Sequence, residues 1–123
     1  MKHQLHLIRL AAIAIFLGVV SQAQAEPDLD FTLVNKTGFD IKAVYVSPTS
    51  KEDWEENMLK GVLENGDSLD ISFSPGQNTT KWDVMVVWTD DDSAYWRNYD
   101  LSEISKLTLY YDVDTSVASA TAE

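Results

Sequence analysis

Between Trp88 and Trp96 the chain places Asp90, Asp91 and Asp92 side by side, followed by Ser93, Ala94 and Tyr95. Carboxylates at this density suit three kinds of chemistry: a divalent-metal loop, a surface for a cationic partner, or a solvated hairpin tip. A calcium loop draws oxygen ligands from alternate positions, with a glycine for its sharp turn and a glutamate further on. Here the aspartates are consecutive, so their side chains diverge, and no glycine follows. Metal binding by Asp90, Asp91 and Asp92 is therefore the alternative reading, and it needs Asp100, Asp112 or Asp114 to converge from neighbouring strands. A hairpin tip accommodates the same residues unaided, because aspartate favours turns.

The flanking rings are the second candidate chemistry. Trp88, Tyr95, Trp96 and Tyr99, with Arg97 among them, offer aromatic faces and a planar cation suited to recognising a protein or a sugar. Strand alternation places Tyr95 and Tyr99 on the face opposite Trp96, so at least one ring is expected outside the core. The expected partner-binding residues are Trp88, Asp90, Asp91, Asp92, Tyr95, Trp96, Arg97 and Tyr99. Thr49 to Asp53 is a second, lesser surface.

Catalytic constellations are harder to find. The chain has no cysteine, which excludes thiol nucleophiles, iron–sulfur clusters, zinc-cysteine sites and disulfides. Its two histidines, His3 and His6, lie in the N-terminal segment discussed next. No G-x-S-x-G elbow and no glycine-rich phosphate loop occurs. A glycosidase-like carboxylate pair depends on spatial separation that a sequence does not display. The expectation is a non-enzymatic protein without a cofactor.

Residues 1–25 read as an export signal. Lys2, His3, His6 and Arg9 make a positive start, Leu10 to Val20 an apolar run, and Ser21-Gln22-Ala23-Gln24-Ala25 an A-x-A cleavage pattern before Glu26. The apolar run is too short to favour a retained membrane span. Cleavage leaves 98 of the 123 residues, enough for one small domain with one core. That mature chain is expected to be soluble and periplasmic or secreted. It carries seven Lys and Arg against all 20 acids, a net charge of −13. Nucleic acids and anionic membranes would be repelled, while a protein with a basic patch would be attracted.

The elements that must position these residues follow from hydropathy alternation. Leu29 to Val34 and Ile41 to Val46 read as strands joined by the turn residues Asn35 to Gly38, hence a hairpin. Ser50 and Asp53 resemble a capping box, and Trp54 and Met58 share a helical face, predicting a short helix that Gly61 ends. Leu69 to Phe73 alternates as a half-exposed strand. Trp82 to Trp88 is apolar on nearly every position and reads as a central strand. Tyr95 to Leu101 returns across the aspartates, and Leu107 to Tyr111 forms a last strand. Val113 to Glu123 is rich in Ser, Thr and Ala and is expected to be a flexible tail. The fold class is mainly β: an antiparallel β-sandwich of six to seven strands with one short helix, occupying 26–112 as a single domain.

The string NKTGFDIKAVYVSPTSKEDWEENML, Asn35 to Leu59, resembles a group of small exported bacterial proteins. Leu63 to Phe73, Trp82-Asp83-Val84 and DLSEISKLTLYYD, Asp100 to Asp112, fit the same pattern. Members often carry the label "argininosuccinate lyase". The true lyase is similar to a long, mainly helical, tetrameric chain with a G-S-S-x-M-P-x-K-x-N loop, and this chain has neither that length nor that loop. The resemblance implies fold and export and brings no site residues. Together these readings anticipate an exported interaction domain, inhibitor-like or immunity-like, with calcium binding as the alternative.

Overall fold

The computed structural model describes residues 28–51 and 53–123; the expected signal, 1–25, lies outside the described residues. Among the described residues seven strands form: β1 (Phe31–Lys36), β2 (Ile41–Pro48), β3 (Ser68–Ile71), β4 (Lys81–Trp88), β5 (Ser93–Asp100), β6 (Lys106–Asp112) and β7 (Val117–Ala122). A single 3-10 turn, Leu101–Glu103, follows β5. One sheet has the order β3-β1-β6-β7 and the other β2-β4-β5. All pairings are antiparallel except β1 with β6, which is parallel.

The sandwich exists because alternation gives each sheet one apolar face, and the two faces have only each other to bury against. Phe31 and Leu33 of β1 and Leu107 and Leu109 of β6 meet Val44 and Val46 of β2 and Val84 and Val86 of β4 in one cluster. Aromatic contacts tie the sheets at both ends. Phe73 packs edge-on against Trp82, with centroids 4.8 Å apart, and Tyr111 packs edge-on against Trp88 at 5.7 Å.

Three expectations are corrected. First, β1 and β2 are not a hairpin: β1 is flanked by β3 and β6, and β2 lies in the other sheet. Residues 37–40 arch between the sheets instead. The turn chemistry is real, with Gly38 at a φ of +89°, but it serves an arch as well as a hairpin. Asn35 settles the outcome, because its buried side chain donates to the carbonyls of both Phe39 and Leu63.

Second, no helix occupies the described residues between Ser50 and Gly61. This stretch runs along the free edge of β2. Asn57 Oδ1 accepts from Val44 N, Met58 N donates to Val44 O, and Leu63 exchanges backbone bonds with Ile41. A helix needs those backbone groups for its own ladder, and here an exposed strand edge takes them. Met58 packs against the core, whereas half-exposed Trp54 lines a surface pocket.

Third, the segment expected to be a loose tail contains β7, which pairs with β6 from Asp112↔Val117 to Leu107↔Ala122. Its small side chains suit an edge strand: Ala118 and Ala120 pack on the core while Val117, Ser119 and Thr121 face outward.

Candidate binding cleft at the hairpin end

The aspartates do form the tip joining β4 to β5. Asp91 N donates to Trp88 O and Trp88 N to Asp92 O. Asp90 Oδ1 accepts from Asp92 N at 3.0 Å, an aspartate closing its own turn. Asp91 takes the positive φ of 75° that the turn requires, and its carboxylate pairs with Lys42 on β2. Thr89 N donates to Asp40 O, fastening the tip to the arch between the sheets.

Beside this tip the sandwich is open. A cleft of about 600 Å³ is floored by Phe39, Trp88 and Tyr111, with Val113 at one side and Asp90 and Asp92 on the rim. The floor is held rigidly. Trp88 is buried, and its indole N–H donates to Thr37 Oγ1 at 3.1 Å. Tyr111 contacts both Trp88 and Phe39 edge-on, the latter at 5.8 Å. Phe39 and Val113 remain 48% and 63% exposed, so the concavity leaves apolar surface to water.

The eight expected site residues therefore divide. Trp88, Asp90 and Asp92 line the cleft, and Asp91 stands beside it on Lys42. Trp96 and Tyr99 are half-buried against the core, and burial pushes the Tyr99 phenol above its ordinary pKa. Tyr95 is the exposed ring, at 58%, on the outer face of its sheet. Arg97 lies over it, its guanidinium carbon 4.9 Å from the ring centroid, and donates to Asp83.

Alternation misplaces Tyr99. It shares the inner face with Trp96, because the two pair with Trp82 and Val84 across a register shift in the β4–β5 ladder. Asn98, at a φ of 65°, supplies the extra residue of this bulge. An asparagine inside a strand is the signal that was available.

Sequence reasoning missed Phe39 and Tyr111, which only the arch and β6 bring to Trp88. It also passed over Asp83, although a lone acid in the most apolar run of the chain is conspicuous. Asp83 is 2% exposed and accepts from Thr49 Oγ1, Asn98 N and Arg97 Nη1. Carboxylates do not converge on the tip. Asp100 caps Ser102 and Asp112 caps Asp114. Among the described residues, no three acidic side chains gather closely enough to hold a metal ion.

No protein-family model matches this chain, and no curated protein matches it either. The fold is similar to the NMR structure of a protein from Eubacterium rectale, with a TM-score of 0.53 at 18% identity, over 80% of this chain and 91% of the other. That likeness concerns the fold alone.

Proposed function

We propose that this is an exported, non-enzymatic interaction domain that binds a protein through a basic patch, with the cleft at the β4–β5 tip as the contact. The observation that carries the reading is the pairing of an aromatic floor, Phe39, Trp88 and Tyr111, with the rim carboxylates Asp90 and Asp92. A lysine or arginine side chain fits that arrangement. Its methylene stem packs on the rings, its charge lies over their faces, and the carboxylates neutralise it. A net charge of −13 on the expected mature chain adds long-range attraction toward a basic surface and raises the encounter rate. The export-signal pattern read in residues 1–25, and the resemblance to small exported bacterial proteins, support a partner in the periplasm or outside the cell. Among the described residues no helix is long and apolar enough to cross a membrane.

Calcium binding by Asp90, Asp91 and Asp92 draws no support from the geometry. One carboxylate closes the turn and another faces Lys42.

The test is an NMR titration of the mature protein with a short blocked peptide containing two arginines. Saturable shifts are expected at the Trp88 indole and the Asp92 amide. They should weaken about tenfold with added salt and about tenfold in the Asp90→Asn/Asp92→Asn double variant, which preserves the turn. The matching glutamate peptide should leave the spectrum unchanged. Equal shifts from both peptides, or none near Trp88, would remove the proposal.

A further inference from the structure

A second cavity, of about 280 Å³, opens on the outer side of the β2-β4-β5 sheet, away from the aspartate tip. Its walls carry Thr49, Lys51, Asp53, Trp54, Asp83 and Arg97. We propose that it binds a small zwitterion of the amino-acid class, with the ligand carboxylate on Arg97 and its ammonium on Asp53.

The argument starts at Asp83. A carboxylate on a central strand at 2% exposure is costly unless its oxygens are satisfied. They are: Thr49 Oγ1 donates at 2.7 Å and Asn98 N at 2.9 Å to one oxygen, and Arg97 Nη1 donates at 3.1 Å to the other. The same bonds hold Arg97 still, and the Tyr95 ring supports its guanidinium from one side at 4.9 Å.

Arg97 thereby becomes a pre-positioned fork. Among the described residues only Nη1 has a partner, which leaves the other guanidinium N–H donors of a side chain that is 58% exposed. Planar donors fixed in this way match a carboxylate.

Opposite charge is also present. Asp53 is tied to β2 through its carbonyl, which accepts from Ser47 Oγ at 2.8 Å, so its position is set while its carboxylate stays exposed. Lys51 makes a surface pair with Glu55 at 3.3 Å, an interaction weak enough to yield to a ligand. Among the described residues two cations and two carboxylates thus line one small cavity, so both signs of charge are presented together within a strongly acidic protein. A simple anion would still face repulsion from the molecule as a whole, and a simple cation would meet Arg97 and Lys51. A ligand with one charge of each sign meets neither objection. Trp54 supplies one apolar wall for a short side chain. The volume admits a small amino acid and excludes a drug-sized one.

Titration of the folded mature protein with glycine, L-alanine and 4-aminobutyrate, followed at Arg97 Nε and the Trp54 indole, tests the assignment. At least one of the three should saturate within tens of millimolar. Acetate and methylammonium, each carrying half of the charge pattern, should bind at least about tenfold more weakly. Arg97→Lys keeps the charge but loses the fork, and a weakening of about tenfold is expected. Asp53→Asn, at an exposed side chain, should weaken binding similarly while leaving the rest of the spectrum in place. The proposal is overturned if no probe saturates, if acetate binds as tightly as the amino acids, or if Asp53→Asn binds normally.

Discussion

Asn35 uses its whole side-chain amide inside the protein. Nδ2 donates to Phe39 O at 2.8 Å and to Leu63 O at 2.9 Å, while Oδ1 accepts from Thr37 N at 3.0 Å and from Thr37 Oγ1 at 2.7 Å. Thr37 in turn accepts the Trp88 indole, so one buried amide anchors the arch and, through it, the cleft floor. Asn35→Ala would strand these partners in a dry interior. A loss of about 2–4 kcal/mol is expected, read as a lower urea midpoint at unchanged slope. A smaller residue-scale device sits at the start of the 3-10 turn. The Ser102 hydroxyl, ahead of the Ser102 amide and Lys81, holds the Asp100 carboxyl below the ordinary aspartate range. Because the folded-state value is depressed, the stabilisation is complete above the unfolded aspartate pKa. It is lost as pH falls through the lower folded value, from about pH 4 downward. In Ser102→Ala the Asp100 titration, followed by carboxyl NMR shifts, should move up toward the ordinary value. Neither residue announces its role in the sequence. Asn35 reads there as one turn residue among four, since only burial converts a turn former into a core bracket.

Two short segments show how an element can carry a plain local signal and still be decided elsewhere. Residues 50–61 have a capping pattern and an i, i+4 apolar pair, yet Asn57 and Met58 guard the edge of β2 instead. That edge would otherwise present unpaired groups to solvent. The side chain of Asn57 takes part directly, accepting from Val44 N at 2.8 Å and from Leu59 N at 3.0 Å. Such side-chain bonding competes with a helix. Asn57→Ala should leave Val44 N without its acceptor and speed amide exchange at Val44 by about fivefold or more, for a local loss of about 1 kcal/mol. An unchanged Val44 rate would mean that Met58 alone seals the edge. On β5, the bulge at Asn98 reverses the alternation, moving Tyr99 indoors and leaving Tyr95 as the ring outside. The strands themselves were legible: β1 to β6 each begin and end within two residues of the apolar alternation. The pairing of β1 with β3 and β6 was not, because alternation says which face a residue takes and nothing of which strand lies alongside.

For the molecule as a whole, the parallel β1–β6 pair and the addition of β7 complete the four-stranded sheet. Leu107 and Leu109 are fully buried; Ala120 lies opposite Leu109 and Ala118 opposite Tyr111 across the β6–β7 ladder, and both alanines pack against the core. Removing residues 113–123 should therefore lower Tm by about 10 °C or more, given the usual net worth of each ladder hydrogen bond. A loose tail could be deleted without moving the melt. The same truncation takes Val113 and Ala118 out of the cleft wall, joining stability to the proposed contact. What the sequence by itself determined is substantial: a β fold from period-two alternation, an acidic surface, and the absence of cysteine chemistry, all of which depend on composition and local pattern. Tertiary structure alone decided that Phe39, Trp88 and Tyr111 share a floor, that Tyr95 stands outside, and that Asp83 aims Arg97 into a cavity. Those are relations between residues far apart in the chain. They follow from which strands pair, in what register and around which bulge, and the free energy of that choice belongs to the assembled core rather than to any one segment.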